Sequence, residues 1–101
     1  MLKNFRAYQL AVSFYRQTPC QKLPAELRSQ LLRAASSIAL NLAEGAGRQG
    51  RADQKRFFSI AMGSLREVQA ILDLAYPAEH PARDSADVLG AHIYKLIKSY
   101  K

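Results

Sequence analysis

Helical periodicity in four separate stretches, with no competing strand pattern, constrains the fold of this chain more than any other feature. Each stretch carries apolar residues at steps of three and four, as at Leu27, Leu31, Ala34 and Ile38. This is the spacing of one face of an amphipathic helix. A length of 101 residues suits one compact domain with a modest core. The sequence therefore predicts a single all-α domain over residues 1–101.

The ends of the first two stretches predict their helix boundaries. Helix one is expected from Asn4 to Gln17. Helix two is expected to begin at Pro24, because proline suits the first turn of a helix. It is expected to end at Gly45 or Gly47, where glycine can adopt a left-handed cap.

Capping residues and a proline delimit the other two helices. Helix three is expected to begin near Asp53, a favoured N-cap residue, and to end at Tyr76-Pro77, because proline disfavours a helical residue before it. A polar connection follows. Helix four is expected to open at Asp84 or Ser85 and to continue to about Tyr100.

The stretch Gly45-Ala46-Gly47-Arg48-Gln49-Gly50 matches the G-x-G-x-x-G pattern of dinucleotide-binding loops. That pattern binds pyrophosphate when the glycines follow a strand and open a helix. Here the glycines close a helix, whose carboxyl end carries partial negative charge. Capping and a tight turn are therefore the favoured role. An anion site at the start of helix three is the alternative.

Positive charge is concentrated in two parts of the chain, which has a formal net charge of +7. Residues 1–22 hold four cations and no acid, and a second basic cluster follows the glycines. Such clustering fits an anionic partner, most commonly nucleic acid. A basic surface without a specific partner is the alternative. The predicted nucleic-acid-binding residues are Arg6, Arg16, Lys22, Arg48, Arg51, Lys55 and Arg56.

The second basic cluster has few aromatic side chains interleaved with its cations. Phe57 and Phe58 follow the cluster and are expected to point at least partly inward. We therefore expect contacts to the phosphates of structured RNA or duplex DNA, without sequence readout. Stacking on single-stranded bases is not expected to be the main mode of binding.

Helices one and two carry more apolar surface than one bundle core needs. The apolar residues of helix one sweep roughly 220° of the helical wheel. An almost wholly apolar helix in a small domain suggests a partner surface, so we predict a homo-oligomer with closed symmetry. A monomer with small alanines at its surface is the alternative. On helix two the surplus residues are Leu32, Ala39, Leu40 and Ala43.

A narrow polar lane on helix two faces helix three if the two helices form a hairpin about Gln49-Gly50. In that hairpin Arg33 lies near Glu67. Ser37 lies near Gly63, and these two residues and Ala34 are small enough to let the backbones approach closely. We predict a partly buried Arg33–Glu67 ion pair, whose loss in Glu67→Ala would destabilise the fold markedly. The polar lane, assigned a structural role, comprises Arg33, Ser37, Asn41, Glu44, Ser64 and Glu67.

Residues with catalytic or metal-binding potential are scattered along the chain. His80 is expected in a solvated loop and His92 on an exposed or interface face, without the spacing of metal ligands. Cys20 is the one cysteine, expected as a reduced thiol near a loop. Ser64 lacks the second glycine and the preceding strand of a nucleophile elbow. The sequence therefore predicts no enzyme, no cofactor and no metal.

The sequence lacks the features of secreted and membrane proteins. The N-terminal stretch Met1–Arg6 has neither the apolar run nor the cleavage site of a signal peptide. No stretch reaches the roughly 18 uninterrupted apolar residues of a membrane span. We therefore expect a cytoplasmic protein with no membrane contact.

Two stretches in helices two and three are similar to a known family. They are LPAELRSQLLRAASSIALNLAEGAGR, residues 23–48, and FFSIAMGSLREVQAIL, residues 57–72. The stretches resemble the bacterial four-helix bundle protein family, also called the ribosomal-RNA intervening-sequence protein family. Helices one and four match mainly by pattern. The matching positions include Arg33-Ala34-Ala35, Asn41, Ala43-Glu44-Gly45 and Gly63-Ser64-Leu65.

The resemblance implies an antiparallel up-down-up-down four-helix bundle that assembles as a ring-shaped homopentamer. It also implies a role without catalysis. Some members are encoded in intervening sequences of the large ribosomal RNA, and a related bundle protein is a nucleic-acid-binding accessory factor of retroelement reverse transcriptases. This chain has a short fourth helix, and Leu10-Ala11-Val12-Ser13-Phe14 stands where members often carry a tryptophan. Partner surfaces built from those helices are expected to differ.

Two functions remain open at this point. The first is an oligomeric accessory protein whose copies align their cations into a basic ring that contacts phosphates. The second is an oligomeric protein–protein scaffold with no nucleic-acid role. A reverse transcriptase or another protein is a candidate partner. Salt dependence separates the two, because release of counterions makes nucleic-acid binding fall steeply as salt rises.

Overall fold

Four antiparallel helices form the fold. The structure is a computed structural model that describes Leu2, residues 5–18 and residues 22–100. That part of the chain contains no strand, and each helix packs on the next while α4 packs back on α1. The expected all-α up-down-up-down bundle is confirmed, 41 Å long and 22 by 21 Å across. Asn4 and Cys20 lie outside the described residues. The helices are α1 (Arg6–Gln17), α2 (Ala25–Ala46), α3 (Arg51–Ala75) and α4 (Pro81–Lys98).

The core follows the three- and four-residue steps that the sequence shows. Burying these side chains removes apolar surface from water, which stabilises the fold by about 25 cal/mol per Å². The short helix α1 contributes only Ala7, Ala11 and Phe14 as buried residues. The largest fully buried side chains come from the other three helices: Leu31, Ile38, Leu42, Phe58, Leu65, Val68, Leu72, Leu89 and Ile93.

The two glycines at the end of α2 have different roles. Gly47 closes the helix, with its N–H 3.2 Å from the carbonyl oxygens of Ala43 and Glu44. Its φ of −87° is right-handed, so the left-handed cap expected here is wrong. Gly45 lies inside the helix, where an added Cβ would stand 2.7 Å from Cε1 of Phe58. The missing side chain therefore lets α2 approach the Phe58 ring closely.

Helix α3 begins two residues before the expected N-cap. Gly50 occupies the N-cap position, and Asp53 lies in the first turn of the helix. A carboxylate in the first turn is favourable beside the partial positive charge of a helix N-terminus. Asp53 therefore suits this turn without being the cap.

Helix α4 begins at Pro81, three to four residues earlier than expected. His80 is the N-cap, and its Nδ1 accepts a hydrogen bond from the backbone N–H of Ala82 at 3.1 Å. The imidazole ring also stacks on Tyr76, with ring centroids 4.0 Å apart. His80 is thus a partly buried capping residue, and the expectation of a solvated loop is wrong.

Candidate nucleic-acid interface

The turn between α2 and α3 marks one end of the bundle, which we call the hairpin end. Antiparallel packing brings the start of α1 and the end of α4 to the same place. The Phe58 ring contacts Phe5 and Tyr100 edge-on, with ring centroids 5.9 and 5.5 Å apart. Phe58 itself is only 2% exposed. An aromatic cluster around the buried Phe58 ring therefore holds these chain segments together at the hairpin end.

The seven cations predicted to bind nucleic acid do not share one end of the bundle. Arg16 follows Arg6 by ten residues on α1, which is about 15 Å along the helix. Lys22 lies just before α2, also away from the hairpin end. The split arises because α1 runs away from the hairpin end. The cations that gather there are Arg6, Arg48, Arg51, Lys55 and Arg56.

Arg48 and Arg56 are partly neutralised by acids. Arg48 pairs with Glu44 at 2.9 Å and lies 3.6 Å from Asp53, while Arg56 pairs with Asp53 at 2.9 Å. Both guanidinium groups also lie over the ring of Phe57, 4.7 and 4.4 Å from its centroid. Their position is thus fixed, but much of their charge is balanced.

Arg51 and Lys55 lie one turn apart and make no ion pair with any residue that the structure describes. Arg51 lies 4.5 Å above the Tyr100 ring and donates a hydrogen bond to the carbonyl of Ser99 at 3.2 Å. The Tyr100 hydroxyl donates in turn to Gln54 at 3.2 Å. Lys55 is exposed. The positive charge of these two side chains remains available to a ligand.

Lys98, in the last turn of α4, adds a further cation to the hairpin end. Its Nζ lies 5.5 Å from the ring centroid of Tyr94, a side chain that is 54% exposed. Lys98 is not among the cations that the sequence predicted to bind nucleic acid. The antiparallel helix order could have identified it, because that order places the end of α4 beside the start of α3.

The predicted Arg33–Glu67 ion pair is present, but it is exposed rather than partly buried. The two side chains keep 63% and 39% of their surface accessible. Exposed ion pairs typically contribute about 1 kcal/mol or less, so the marked destabilisation expected for Glu67→Ala is corrected to a small one. Glu44, assigned to the same polar lane, makes no ion pair with α3. It pairs with Arg48, four residues further along the chain and before the start of α3.

Ser37 contacts Ser64, and not the Gly63 position expected to face it. The two hydroxyl oxygens share a hydrogen bond at 2.8 Å. Asn41 supports them by donating to the carbonyl and hydroxyl oxygens of Ser37 at 2.9 and 3.1 Å. Gly63 is exposed, and an added Cβ would meet nothing within 4 Å. Gly63 therefore does not bring the two backbones together, and the polar contact is made one residue further on.

Much of the apolar surplus expected on the first two helices is used inside the bundle. Leu40 is an exception, since it is 68% exposed. The polar-lane contacts fix the register of the hairpin and set Leu40 level with Ile60, which is 42% exposed. Each lies seven residues, or about two turns, from its own helix's member of the Arg33–Glu67 pair, so the two positions share the face of the hairpin that carries this pair. We call Leu40 and Ile60 the apolar patch. Surplus side chains that pack in part against the core include Tyr8, Leu10, Leu32 and Ala39.

The described part of the chain holds neither a cluster of metal-ligating side chains nor a membrane-spanning helix. No three His, Cys, Asp or Glu side chains lie close enough together there to hold a metal ion. No helix in that part is both long enough and apolar enough to cross a membrane.

Fold and charge together define a class of protein, a basic antiparallel four-helix bundle with cations gathered at its hairpin end. The family model described as 23S rRNA-intervening sequence protein matches residues 4–100, so the chain belongs to that family. Neither this description nor that of the similar structure below names an enzymatic activity. A comparison with curated proteins found none that matches.

One similar solved structure is the crystal structure of a protein of unknown function from the S23 ribosomal protein family of Bacteroides thetaiotaomicron. The two chains are 22% identical, with a TM-score of 0.63. The match covers 99% of this chain and 94% of the other. At that identity the likeness shows the shared fold alone.

Proposed function

We propose that this chain is a non-catalytic, self-associating accessory protein of the cytoplasm that binds structured RNA or duplex DNA through the hairpin end. Phosphates are contacted without sequence readout, because the cations there are long, exposed side chains that recognise charge. The name of the family, which refers to 23S rRNA, favours RNA as the natural ligand. In an oligomer several weak phosphate contacts act together, so the assembly binds one nucleic-acid molecule more tightly than a single copy does.

The observation that carries the proposal is the imbalance of charge at the hairpin end. Its cations are opposed by only two acids among the described residues there, Glu44 and Asp53. Both acids are engaged by Arg48 and Arg56. The cations of the hairpin end that form no ion pair with a described residue are Arg6, Arg51, Lys55, Lys95 and Lys98.

A charge-reversal comparison tests this role. Purified protein is titrated with structured RNA and duplex DNA at two salt concentrations, as wild type, as Arg51→Glu with Lys55→Glu, and as Arg16→Glu with Lys22→Glu. The two double variants change net charge equally but at opposite ends of the bundle. We expect the first to lose at least tenfold in affinity and to lower the salt slope by about 2. The second should bind nearly as wild type does.

Circular dichroism on the same samples checks that both variants are folded. Equal loss of affinity in the two variants would mean that net charge, and not the hairpin end, determines binding. Absence of binding by well-folded wild-type oligomer would overturn the proposal and favour the protein–protein scaffold.

Self-association is proposed to use the apolar patch of Leu40 and Ile60. The exposed Arg33–Glu67 pair beside it offers charges of both signs to a neighbouring copy, whose contacting face is a different one, because a ring of five closes through head-to-tail interfaces. Light scattering measures the assembly, for which the family resemblance suggests a pentamer. Leu40→Glu should dissociate the oligomer, whereas Leu74→Glu, at a side chain that is 77% exposed elsewhere on α3, should not. Retention of the oligomer in Leu40→Glu would exclude this face.

A further inference from the structure

Tyr94 is an aromatic side chain one turn before the end of α4, with about half of its surface exposed. It is 54% exposed, and Lys98 lies over its ring at 5.5 Å. The neighbouring aromatic groups are less accessible, because Phe58 is buried and Phe57 and Tyr100 are half-buried. Tyr94 therefore offers ring surface that the fold does not use.

The packing of α3 against α4 places cations beside Tyr94. Gly90 of α4 lies against Leu65, where an added Cβ would be 2.8 Å from Cδ2. Tyr94 follows Gly90 by four residues, so it lies about one turn nearer the hairpin end. This turn of α4 stands beside the part of α3 that precedes Leu65, because the two helices are antiparallel.

One strip of α3 borders this position. Lys55, Ser59, Met62 and Arg66 follow each other at steps of four, three and four, which keeps them on one side of a helix. The strip continues to Gln69, which accepts from Arg66 and donates to Asp87 of α4, each at 3.0 Å. This contact shows that the strip runs along the side that faces α4. We call Lys55, Arg66, Tyr94 and Lys98 the tyrosine face.

The chemistry of the tyrosine face differs from that of a purely basic patch. Lys98 lies over an exposed aromatic ring, two further exposed cations stand on the neighbouring strip of α3, and Asp87 on the same side already holds a hydrogen bond from Gln69. Proteins that bind single strands combine cations that follow the phosphates with aromatic rings on which bases stack. A duplex cannot use the ring in this way, because its bases are already stacked on one another.

We propose that Tyr94 stacks on an unpaired nucleobase while Lys55 and Lys98 contact the adjoining phosphates. The inference rests on the proposed function and narrows it, because it makes single-stranded segments, such as loops in a structured RNA, the preferred ligand. It also changes the expectation drawn from the sequence around Phe57, since the stacking ring comes from α4.

Two probes of equal charge separate stacking from phosphate contact. One is a 20-nucleotide oligo(dT), and the other is an abasic strand with the same number of phosphates. We expect Tyr94→Ala to weaken oligo(dT) binding by roughly tenfold or more, and to leave binding of the abasic strand unchanged. Tyr94→Phe keeps the ring and should bind nearly as wild type does. Val88→Ala, at a position of α4 that is 50% exposed, is the matched control.

A spectroscopic readout distinguishes direct contact from an indirect effect. The chain contains no tryptophan, so Tyr94→Trp introduces a single reporter at the proposed contact. Oligo(dT) should quench its fluorescence, while the abasic strand at the same occupancy should not.

The results distinguish failure of the base-stacking proposal from failure of the proposed nucleic-acid-binding function. If Tyr94→Ala binds oligo(dT) as wild type does, with the usual salt dependence, base stacking is excluded and the phosphate-binding role stands. Equal quenching of the reporter by both strands would also exclude stacking. If wild-type protein binds neither strand and no structured RNA or duplex, the proposed function itself fails.

Discussion

The two ends of the bundle use their cations differently. At the end away from the hairpin, Arg83 donates to the carbonyls of Leu72 and Tyr76 at 3.3 Å and pairs with Asp73 at 2.9 Å. At the hairpin end, Arg51 makes one backbone contact and lies over a ring. Arg83 therefore stabilises the end of α3, whereas Arg51 keeps its charge accessible.

This difference shows why counting cations in a sequence overestimates the binding surface. A guanidinium group that holds two carbonyl oxygens and a carboxylate, as Arg83 does, is part of the fold, and a ligand can reach it only at the expense of those contacts. A cation without an acid partner remains available for phosphates. Predictions about the two ends can therefore be tested separately for stability and for binding.

The largest effect on stability is expected at the hairpin end, from Gly45→Ala. The added methyl group would stand 2.7 Å from Phe58 and 3.1 Å from the carbonyl oxygen of Gln54. Overpacking of this kind typically costs about 1–3 kcal/mol. Thermal unfolding at fixed protein concentration should show a lower Tm, by about 4–8 °C for each kcal/mol.

Gly63→Ala is the matched control for this variant, since both glycines lie inside helices. Nothing lies within 4 Å of a Cβ at Gly63, so alanine should stabilise the monomer by up to about 1 kcal/mol through its higher helix propensity. Equal Tm values for the two variants would show that α2 and Phe58 are not in close contact.

The next effect separates the two ends directly, by comparing Arg83→Ala with Arg51→Ala. Arg83→Ala should destabilise the fold by about 1–2 kcal/mol, because the side chain is only 27% exposed and holds two carbonyls and a carboxylate. Arg51→Ala should cost about 0.5–1 kcal/mol. Nucleic-acid affinity should fall in Arg51→Ala alone. If Arg83→Ala is fully folded but has lost nucleic-acid affinity, the claim that only the hairpin end binds nucleic acid is wrong.

A smaller effect is expected from His80→Ala at the end away from the hairpin. The imidazole caps α4 and stacks on Tyr76, and loss of an N-cap costs about 1 kcal/mol. His80→Asn should recover part of the loss, since asparagine is a strong N-cap residue. Equal destabilisation by both variants would show that stacking, and not capping, is the larger contribution.

The start of α4 also illustrates what could be predicted from the sequence. The rule that proline suits the first turn placed the start of α2 at Pro24, one residue before the observed start at Ala25, and the same rule applied to Pro81 would have given the start of α4. The start of helix four was predicted at Asp84 or Ser85 instead, because both are better N-cap residues than His80. Helix existence and order follow from periodicity, but the choice among neighbouring caps depends on tertiary contacts such as the Tyr76 ring.

Side-chain placement at the candidate site was predictable only in part. The hairpin order correctly paired Arg33 with Glu67, because antiparallel register follows from the turn position. The exposure of this pair could not be predicted from the sequence. A side chain at the edge of the apolar face of a helix can lie either at the surface of the bundle or in its interior. Tyr94 and Lys98 were missed because their relation to Lys55 is set by the contact between α3 and α4.

The smallest effect is expected at mid-bundle, from Glu67→Ala. The carboxylate is 39% exposed and its partner Arg33 is 63% exposed, so water screens their attraction and solvates Arg33 when the partner is removed. The loss should therefore be within about 1 kcal/mol, measured by thermal unfolding at low and high salt. If self-association covers this face, the exposed surface of the pair disappears in the oligomer. A loss that grows with protein concentration would then place the pair inside the interface, because an unpaired Arg33 would be buried there.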